Sequence, residues 1–342
     1  MLKIENQKNK YENTYQEFEK IQYDNFIPRV RMISNKYYII TRNGMVLNNI
    51  KLSIFNSYRN PMVFFRAILV GFISLFRRGV SKINEQVCII HSVWSLGYYH
   101  WLIESLPRAM ILYEKYPNAK IYLPSIEFKK YEELLNIIGF KNVKYFPKNK
   151  NILTNNVILT ECPKIWGNVD ASLLKKTSDR IIEYYELNEA SSDEAHRISI
   201  LYITRKNARG RKIINEDELC KFILDSGGKV ANFDNLNFAS IVKLMRESNI
   251  VVANHGAALA NIIFMVEGTK VIELFPKRNQ PFDYRPVGNS FLHISCYLNL
   301  CNVFKINHRY MICSHNKKRW QKTDLADLYV DLDLLKFWVD ER

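Results

Sequence analysis

From residue 86 onward the chain alternates short apolar runs with segments of helical period: "QVCIIH", a helical pattern over 98–116, "AKIYLP", another near 127–138, then "VKYFP" and "NNVILTE". Such alternation predicts an α/β fold on a parallel sheet, whose strands are buried on both faces and read as continuous apolar runs. An amphipathic pattern at 170–187 leads into "EASSDEAHR", a polar stretch with the composition of a linker. A second set follows: "RISILYITR", a helix over 216–226, "KVANF", a helix over 238–247, "IVVAN", a helix from about 257, and "KVIELF". Two such units imply a cleft, with ligands held beyond the carboxyl ends of the strands. The pattern in "TDLADLYVDLDLLKFWVD" predicts a C-terminal helix, capped by Thr323, that returns to pack on the first unit. The predicted organisation is an N-terminal extension over 1–85, units over 86–190 and 191–315, and the C-terminal helix over 316–342. Residues 1–80 fit neither unit.

Within the extension, "PMVFFRAILVGFISLFRRG" at 61–79 is strongly apolar but is interrupted by Arg66 and closed by Arg77 and Arg78. It falls short of the roughly 20 uninterrupted apolar residues of a membrane span. Its aromatic body and cationic flanks fit a helix lying on an anionic bilayer. A helix packed between domains fits the same pattern, and both readings stay open.

Composition narrows the class. With 342 residues and 47% hydrophobic content the chain can bury the core of two domains. Its 49 Lys and Arg against 34 Asp and Glu leave a formal charge of +15, a field that draws phosphates, nucleic acid or an anionic membrane. The six cysteines form no C-x-x-C pair and sit mostly in apolar runs, as reduced core residues do. The polar "MLKIENQKNKYENTYQEFEK" lacks the apolar stretch of a secretory signal, which predicts a cytoplasmic protein, peripheral on the inner face of the membrane if 61–79 is an interfacial helix.

Three constellations carry candidate chemistry. In "LYITRKNARGRKIINEDEL" a strand runs into a loop holding Arg205, Lys206, Arg209, Arg211 and Lys212, and Asn215 with Glu218 has the spacing of a capping box. Cations between a strand's carboxyl end and a helix N-terminus suit a diphosphate. In "VVANHGAALANIIF" Gly256 is expected to permit a tight turn. The N–H groups of Ala257, Ala258 and Leu259 would then form an anion site to which His255 adds a donor. Glu273, ending the next strand, would suit the paired hydroxyls of a ribose. In "SLGYYHWLIESLPRAMIL", His100, Glu104 and Arg108 recur every four residues and so share a helix face, with Trp101 beside them and Pro107 expected to kink or open the helix. A carboxylate beside a histidine is equipment for a general base. Each cluster has a plainer reading, as a solvated basic loop, a structural histidine or an ion-pair stripe. No G-x-G-x-x-G or P-loop lysine pattern is present, and "DLD" at Asp331–Asp333 lacks the character of a metal motif.

Together "YYHWLIESLPR", "YITRKNARGRKIINEDEL" and "NHGAALANIIFMVEGTKVIELFP" resemble glycosyltransferase family 61, its bacterial capsular-polysaccharide branch in particular, across roughly residues 86–276. The resemblance implies a GT-B architecture of two Rossmann-like domains facing a cleft. It implies inverting, metal-independent transfer from a nucleotide sugar, usually a UDP-sugar, to a glycan or lipid-linked acceptor. By position in the motifs, Arg205, Arg209, Arg211, Lys212, His255, Gly256, Ala257, Ala258 and Glu273 become donor-site candidates. Glu104 and His100 become catalytic candidates, Glu104 as base, and Arg108 and Trp101 acceptor-side candidates. Val266 stands where the family often has proline, and residues 1–80 match nothing in it. Two other readings remain: a nucleic-acid-binding protein, which a continuous basic stripe rather than one cationic loop would favour, and a noncatalytic nucleotide-sugar sensor of the same fold.

Overall fold

The computed structural model describes residues 26–34, 36–56, 61–163, 168–188, 197–208, 210–276, 296–316 and 326–341. The predicted linker up to residue 196, Thr323 and Arg209 lie outside the described residues. The chain divides into two compact units at Tyr184/Tyr185, inside the Ala171–Asn188 helix.

The first unit holds strands β1 (Val30–Ile33), β2 (Tyr38–Ile40), β3 (Val80–Lys82), β4 (Val87–Ile89), β5 (Ile121–Leu123), β6 (Val143–Tyr145), β7 (Asn151–Thr154) and β8 (Val157–Thr160). Its main sheet has the order β1-β8-β4-β5-β6, parallel from β8 to β6, with β1 antiparallel on the edge. Every residue of β4, β5 and β8 is buried, as the apolar runs required. A small second sheet, β2-β7-β3, carries part of the stretch that the sequence pattern did not place. The Pro61–Arg78 helix lies against the loop after β2: a Cβ on Gly71 would come within 2.9 Å of Leu47 Cδ2, so this glycine is a close-approach residue.

The second unit holds β9 (Ile198–Ile203), β10 (Lys229–Ala231), β11 (Ser248–Asn254), β12 (Lys270–Pro276), β13 (Asn307–Asn316) and β14 (Asp327–Tyr329), in the order β10-β9-β11-β12-β13-β14. All neighbours are parallel except β13 and β14. From β9 the chain crosses to β10 on one side, then returns to lay β11 on the other. The gap between the ends of β9 and β11 is therefore the topological switch point, where open α/β sheets bind ligands.

The C-terminal stretch departs from expectation. Asp327–Tyr329 forms strand β14, and the helix begins only at Leu332, with the Asp331 side chain accepting from the Leu334 N–H. Instead of returning to the first unit, this helix buries Leu334, Leu335 and Trp338 in the core of the second, with Tyr202, Ile272 and Tyr310. The physical reason is register: β14 pairs with β13, which places the following helix directly over that sheet. All six cysteines are free thiols, five of them buried.

Candidate functional site

Two loops leave the carboxyl ends of β9 and β11 side by side. Arg205 follows β9, and its guanidinium lies over Gly256: a Cβ there would meet Arg205 Nη1 at 2.8 Å. Gly256 has φ 166°, extended backbone open to any residue, so the glycine serves that close approach and not the tight turn expected of it. Arg211 adopts a left-handed φ of 59° and donates from Nη1 to the His255 carbonyl at 2.9 Å, while Asn254 Nδ2 donates to the Arg211 carbonyl at 2.6 Å. These reciprocal bonds hold the Arg211 loop against the His255–Gly256 loop. Burial, and then the nearby Arg211 charge, lower the Arg205 pKa from its ordinary value. Two cations held together at a switch point give the site a strong demand for an anion.

The segment after Gly256 is a 3-10 helix, Ala257–Phe264, and its tighter turn ties the Leu259 N–H to the Gly256 carbonyl at 3.0 Å. Leu259 therefore leaves the expected anion site, and the N–H groups of Ala257 and Ala258 remain at the helix opening. The neighbouring Glu216–Asp225 helix cannot add the expected dipole attraction, because Glu216, Asp217 and Glu218 fill its first turn. Nor is there a capping box: Asn215 stands at the N-cap but directs its side chain to the backbone of Val330, at 2.8 and 3.0 Å.

The remaining cations separate from this pair. Lys206 is exposed and pairs with Asp217 at 3.3 Å. Lys212 is exposed, with its backbone joined to Asp327 and Leu328. Arg209 lies outside the described residues.

Glu273 is fully buried and bridges two histidines: it accepts from or shares a proton with His255 Nδ1, and with His308 Nε2 at 2.9 Å. With no exposed surface it is not placed to meet ribose hydroxyls, contrary to the expectation from sequence. Its position explains why: β12 is flanked by β11 and β13, and its residues after Lys270 are all buried. Burial raises the Glu273 pKa, opposed by the contact with His308. The Glu273–His308 pair fixes the His255 ring from behind, and Phe275 and Tyr297 pack edge-on against that ring at 5.2 Å. His308 and Tyr297 lie outside the three motifs, on β13 and at the start of the Cys296–Phe304 helix, where no residue pattern marks them.

In the first unit the segment 98–115 is one run of three pieces: α-helical Tyr98–His100, a π-helical turn Trp101–Ser105, and α-helix Leu106–Lys115. Pro107 lacks an N–H, and its ring would strike the carbonyl four residues earlier in a regular helix; the wide turn accommodates it. His100 Nδ1 and Glu104 Oε2 are 2.9 Å apart. The histidine side chain is 20% exposed and the carboxylate 2%, so the imidazole edge faces solvent with Glu104 behind it.

Arg108 does not join that face. It is fully buried, donating from Nε to Thr160 Oγ1 at 2.9 Å and from Nη2 to the Thr160 carbonyl at 2.6 Å and to Asn56. It clamps the helix to the end of β8. Trp101 is equally buried, stacked on Tyr131 with ring centroids 4.7 Å apart. Neither is placed to touch an acceptor. Trp94, outside the three motifs, is 40% exposed and stacks on the His100 ring at 6.3 Å. A tryptophan in the loop after a parallel strand was the available signal. Among the described residues, no group of three His, Cys, Asp or Glu is arranged to hold a metal ion.

The glycosyltransferase 61 family model matches residues 98–272, half of the chain and both sets of loops just described. The chain belongs to glycosyltransferase family 61. It is similar to protein O-linked-mannose beta-1,4-N-acetylglucosaminyltransferase 2 of Xenopus tropicalis, 30% identical over 104 residues, covering 30% of this chain and 18% of that protein. The Bos taurus protein of the same name is 24% identical over 127 residues, covering 36% and 21%, and the Homo sapiens one is 31% identical over 81 residues, covering 23% and 14%. The matched part of this chain thus spans at most about a fifth of the length of these relatives. No helix among the described residues is long and apolar enough to cross a membrane.

Proposed function

We propose that this glycosyltransferase is an inverting, metal-independent enzyme of GT-B arrangement. It moves a sugar from a UDP-sugar to a glycan or lipid-linked acceptor in surface or capsular polysaccharide synthesis. The observation that carries the proposal is the convergence of Arg205, Arg211 and the Gly256–Ala258 backbone at the switch point between β9 and β11. Two guanidinium groups and two helix N–H groups match the oxygens of a nucleoside diphosphate, on which negative charge grows as it departs. The names of the animal relatives make N-acetylglucosamine the first sugar to try.

In the proposed reaction the acceptor hydroxyl oxygen attacks the anomeric carbon as the bond from that carbon to the diphosphate oxygen breaks. The bonding pair leaves with the diphosphate, and the hydroxyl proton passes to the His100 ring. Glu104, buried behind the ring, stabilises the imidazolium. In this reading His100, the more exposed of the two, takes the role of base that the sequence assigned to Glu104. Trp94 offers a flat apolar face on which an acceptor sugar ring can stack. The apolar outer face of the Pro61–Arg78 helix would hold the enzyme to the cytoplasmic side of an anionic membrane.

The test is a panel of nucleotide sugars, each read by thermal shift and by hydrolysis or transfer in excess EDTA. One UDP-sugar that stabilises the protein and is consumed supports the proposal. Binding abolished by the chelator contradicts metal independence, and indifference to every nucleotide sugar contradicts the donor site.

A further inference from the structure

The Pro61–Arg78 helix has two unlike faces. Outward it presents Met62, Phe65, Leu69, Phe72, Ile73 and Phe76, with Phe65 68% and Phe76 87% exposed. Inward, Gly71, Ser74 and Arg78 form one wall of a cavity of about 250 Å³. The other walls are the loop after β2, with Arg42 and Asn43, and the loops at the carboxyl ends of β4 and β5, with Ser92 and Ser125. A cavity of this size takes one polar group of a ligand, since whole small-molecule ligands occupy roughly 300–1,000 Å³.

Its chemistry is that of an anion site. Arg42 is held in place by donating from Nε to the Pro124 carbonyl at 2.7 Å. Asn43 Nδ2 donates to the Ala67 carbonyl at 3.1 Å, tying the cavity floor to the helix. The only carboxylate among the described lining residues is Glu127, set against the two guanidinium groups of Arg42 and Arg78, which leaves a net positive lining. Burial, and then the Arg78 charge, lower the Arg42 pKa, opposed by the Glu127 carboxylate. This second positive pocket is separate in sequence and in unit from the Arg205–Arg211 pair.

Its place in the fold links it to the acceptor side. Ser92, Val93 and Leu96 line the cavity, while Trp94, in the same loop, stacks on His100. One loop therefore borders both the cavity and the His100–Glu104 dyad. The helix wall is about 10 Å thick. A phosphate in the cavity would sit that distance above the apolar outer face, as does the head of an amphiphile whose chain lies in the bilayer beneath.

We propose that this cavity binds the phosphate or diphosphate group of the acceptor through Arg42 and Arg78, beside the dyad that deprotonates the acceptor's sugar. The inference rests on the acceptor-side reading above, and it is independent of which nucleotide the second unit holds.

The experiment measures dissociation constants of the full chain for inorganic pyrophosphate, geranyl diphosphate and UDP, in the wild type, Arg42→Gln, Arg78→Gln and the double variant. Arg78 is exposed, so Arg78→Gln keeps the fold even if Arg42→Gln, which loses the Pro124 bond, does not. Each guanidinium substitution is expected to weaken diphosphate binding at least tenfold and to leave the UDP constant within twofold. Geranyl diphosphate binding tighter than pyrophosphate identifies a lipid-linked acceptor; equal affinities identify a free or sugar-borne phosphate. Unchanged diphosphate affinity in Arg78→Gln and in the folded double variant overturns the site even if UDP binds normally. Loss of UDP binding in the wild type, with the diphosphate effect intact, overturns the donor reading alone.

Discussion

At position 273 a carboxylate three residues from the end of a strand reads, in sequence, as a ligand contact. In the fold it lies between His255 and His308 with no exposed surface. Its influence on a ligand must pass through the His255 ring, so Glu273→Gln should weaken UDP binding by up to about tenfold, a fraction of a charge-assisted hydrogen bond worth roughly 1.5–3 kcal/mol. Calorimetry on the variant, alongside its urea midpoint, separates that loss from general destabilisation. Unchanged affinity would mean that the His255 ring takes no part in holding the donor. The same logic of exposure applies to the dyad. His100→Ala should lower kcat by roughly 10²-fold or more, the scale of general base catalysis, and Glu104→Gln should cost less, because the glutamine still orients the ring. Equal donor affinity in both variants is part of the expected result; a larger loss in Glu104→Gln would return the base to the carboxylate.

His91 sets a residue-scale expectation for stability. Its ring is fully buried near Phe128 and Phe146, and burial, then the charge of Arg108, hold its pKa down to about 3 against an opposing backbone contact from Arg42. Unfolded, the imidazole titrates near 6.5. Between these values the unfolded chain binds a proton that the folded one refuses, so stability is complete above about pH 6.5 and declines as pH falls. Urea unfolding at pH 7 and pH 5 should show a smaller loss in His91→Leu than in the wild type, by up to about 1.4 kcal/mol per pH unit. Equal losses would show that His91 is protonated in the folded protein.

At the scale of elements, what the sequence made legible follows strand length and burial. β9, β11 and β12 are six or seven residues long and run almost wholly inside the second sheet, so their apolar stretches stand out. β2 and β3 are three residues each, "YII" and "VSK", in a small mixed sheet, and such segments carry no period to detect. The helix over 98–115 was legible as a helix, but its π turn was not. One extra residue per turn moves Arg108 out of the stripe with His100 and Glu104 and into the core against Thr160. The Pro61–Arg78 helix was read as either interfacial or packed, and it is packed on one face through Ala67 and Gly71 and apolar on the exposed other. Co-sedimentation with anionic liposomes at low salt, falling as salt screens Arg66, Arg77 and Arg78, is the expected outcome. Phe65→Ser with Phe76→Ser should abolish it without lowering the melting temperature, since both rings are exposed. A folded wild type that ignores such liposomes would remove the membrane from the account.

For the whole molecule, the family could be read from three motifs while the division of labour within each motif could not. Of five cations in one loop, two turn inward over the His255–Gly256 loop, while one pairs with Asp217 at the surface. That separation depends on a left-handed turn at Arg211 and on the adjacency of β9 and β11, neither of which leaves a mark on residue spacing. A ligand held there should also stabilise the protein by mass action, about 2.7 kcal/mol at a hundred times its dissociation constant.

The most direct measurement is calorimetric titration of UDP, in excess EDTA, into the wild type, Arg211→Ala and Lys206→Ala. Binding in the wild type, weakened at least tenfold in Arg211→Ala and within twofold of normal in Lys206→Ala, is the result expected of a diphosphate site at the switch point. Absence of UDP binding to the folded wild type, or equal losses in the two variants, would contradict it.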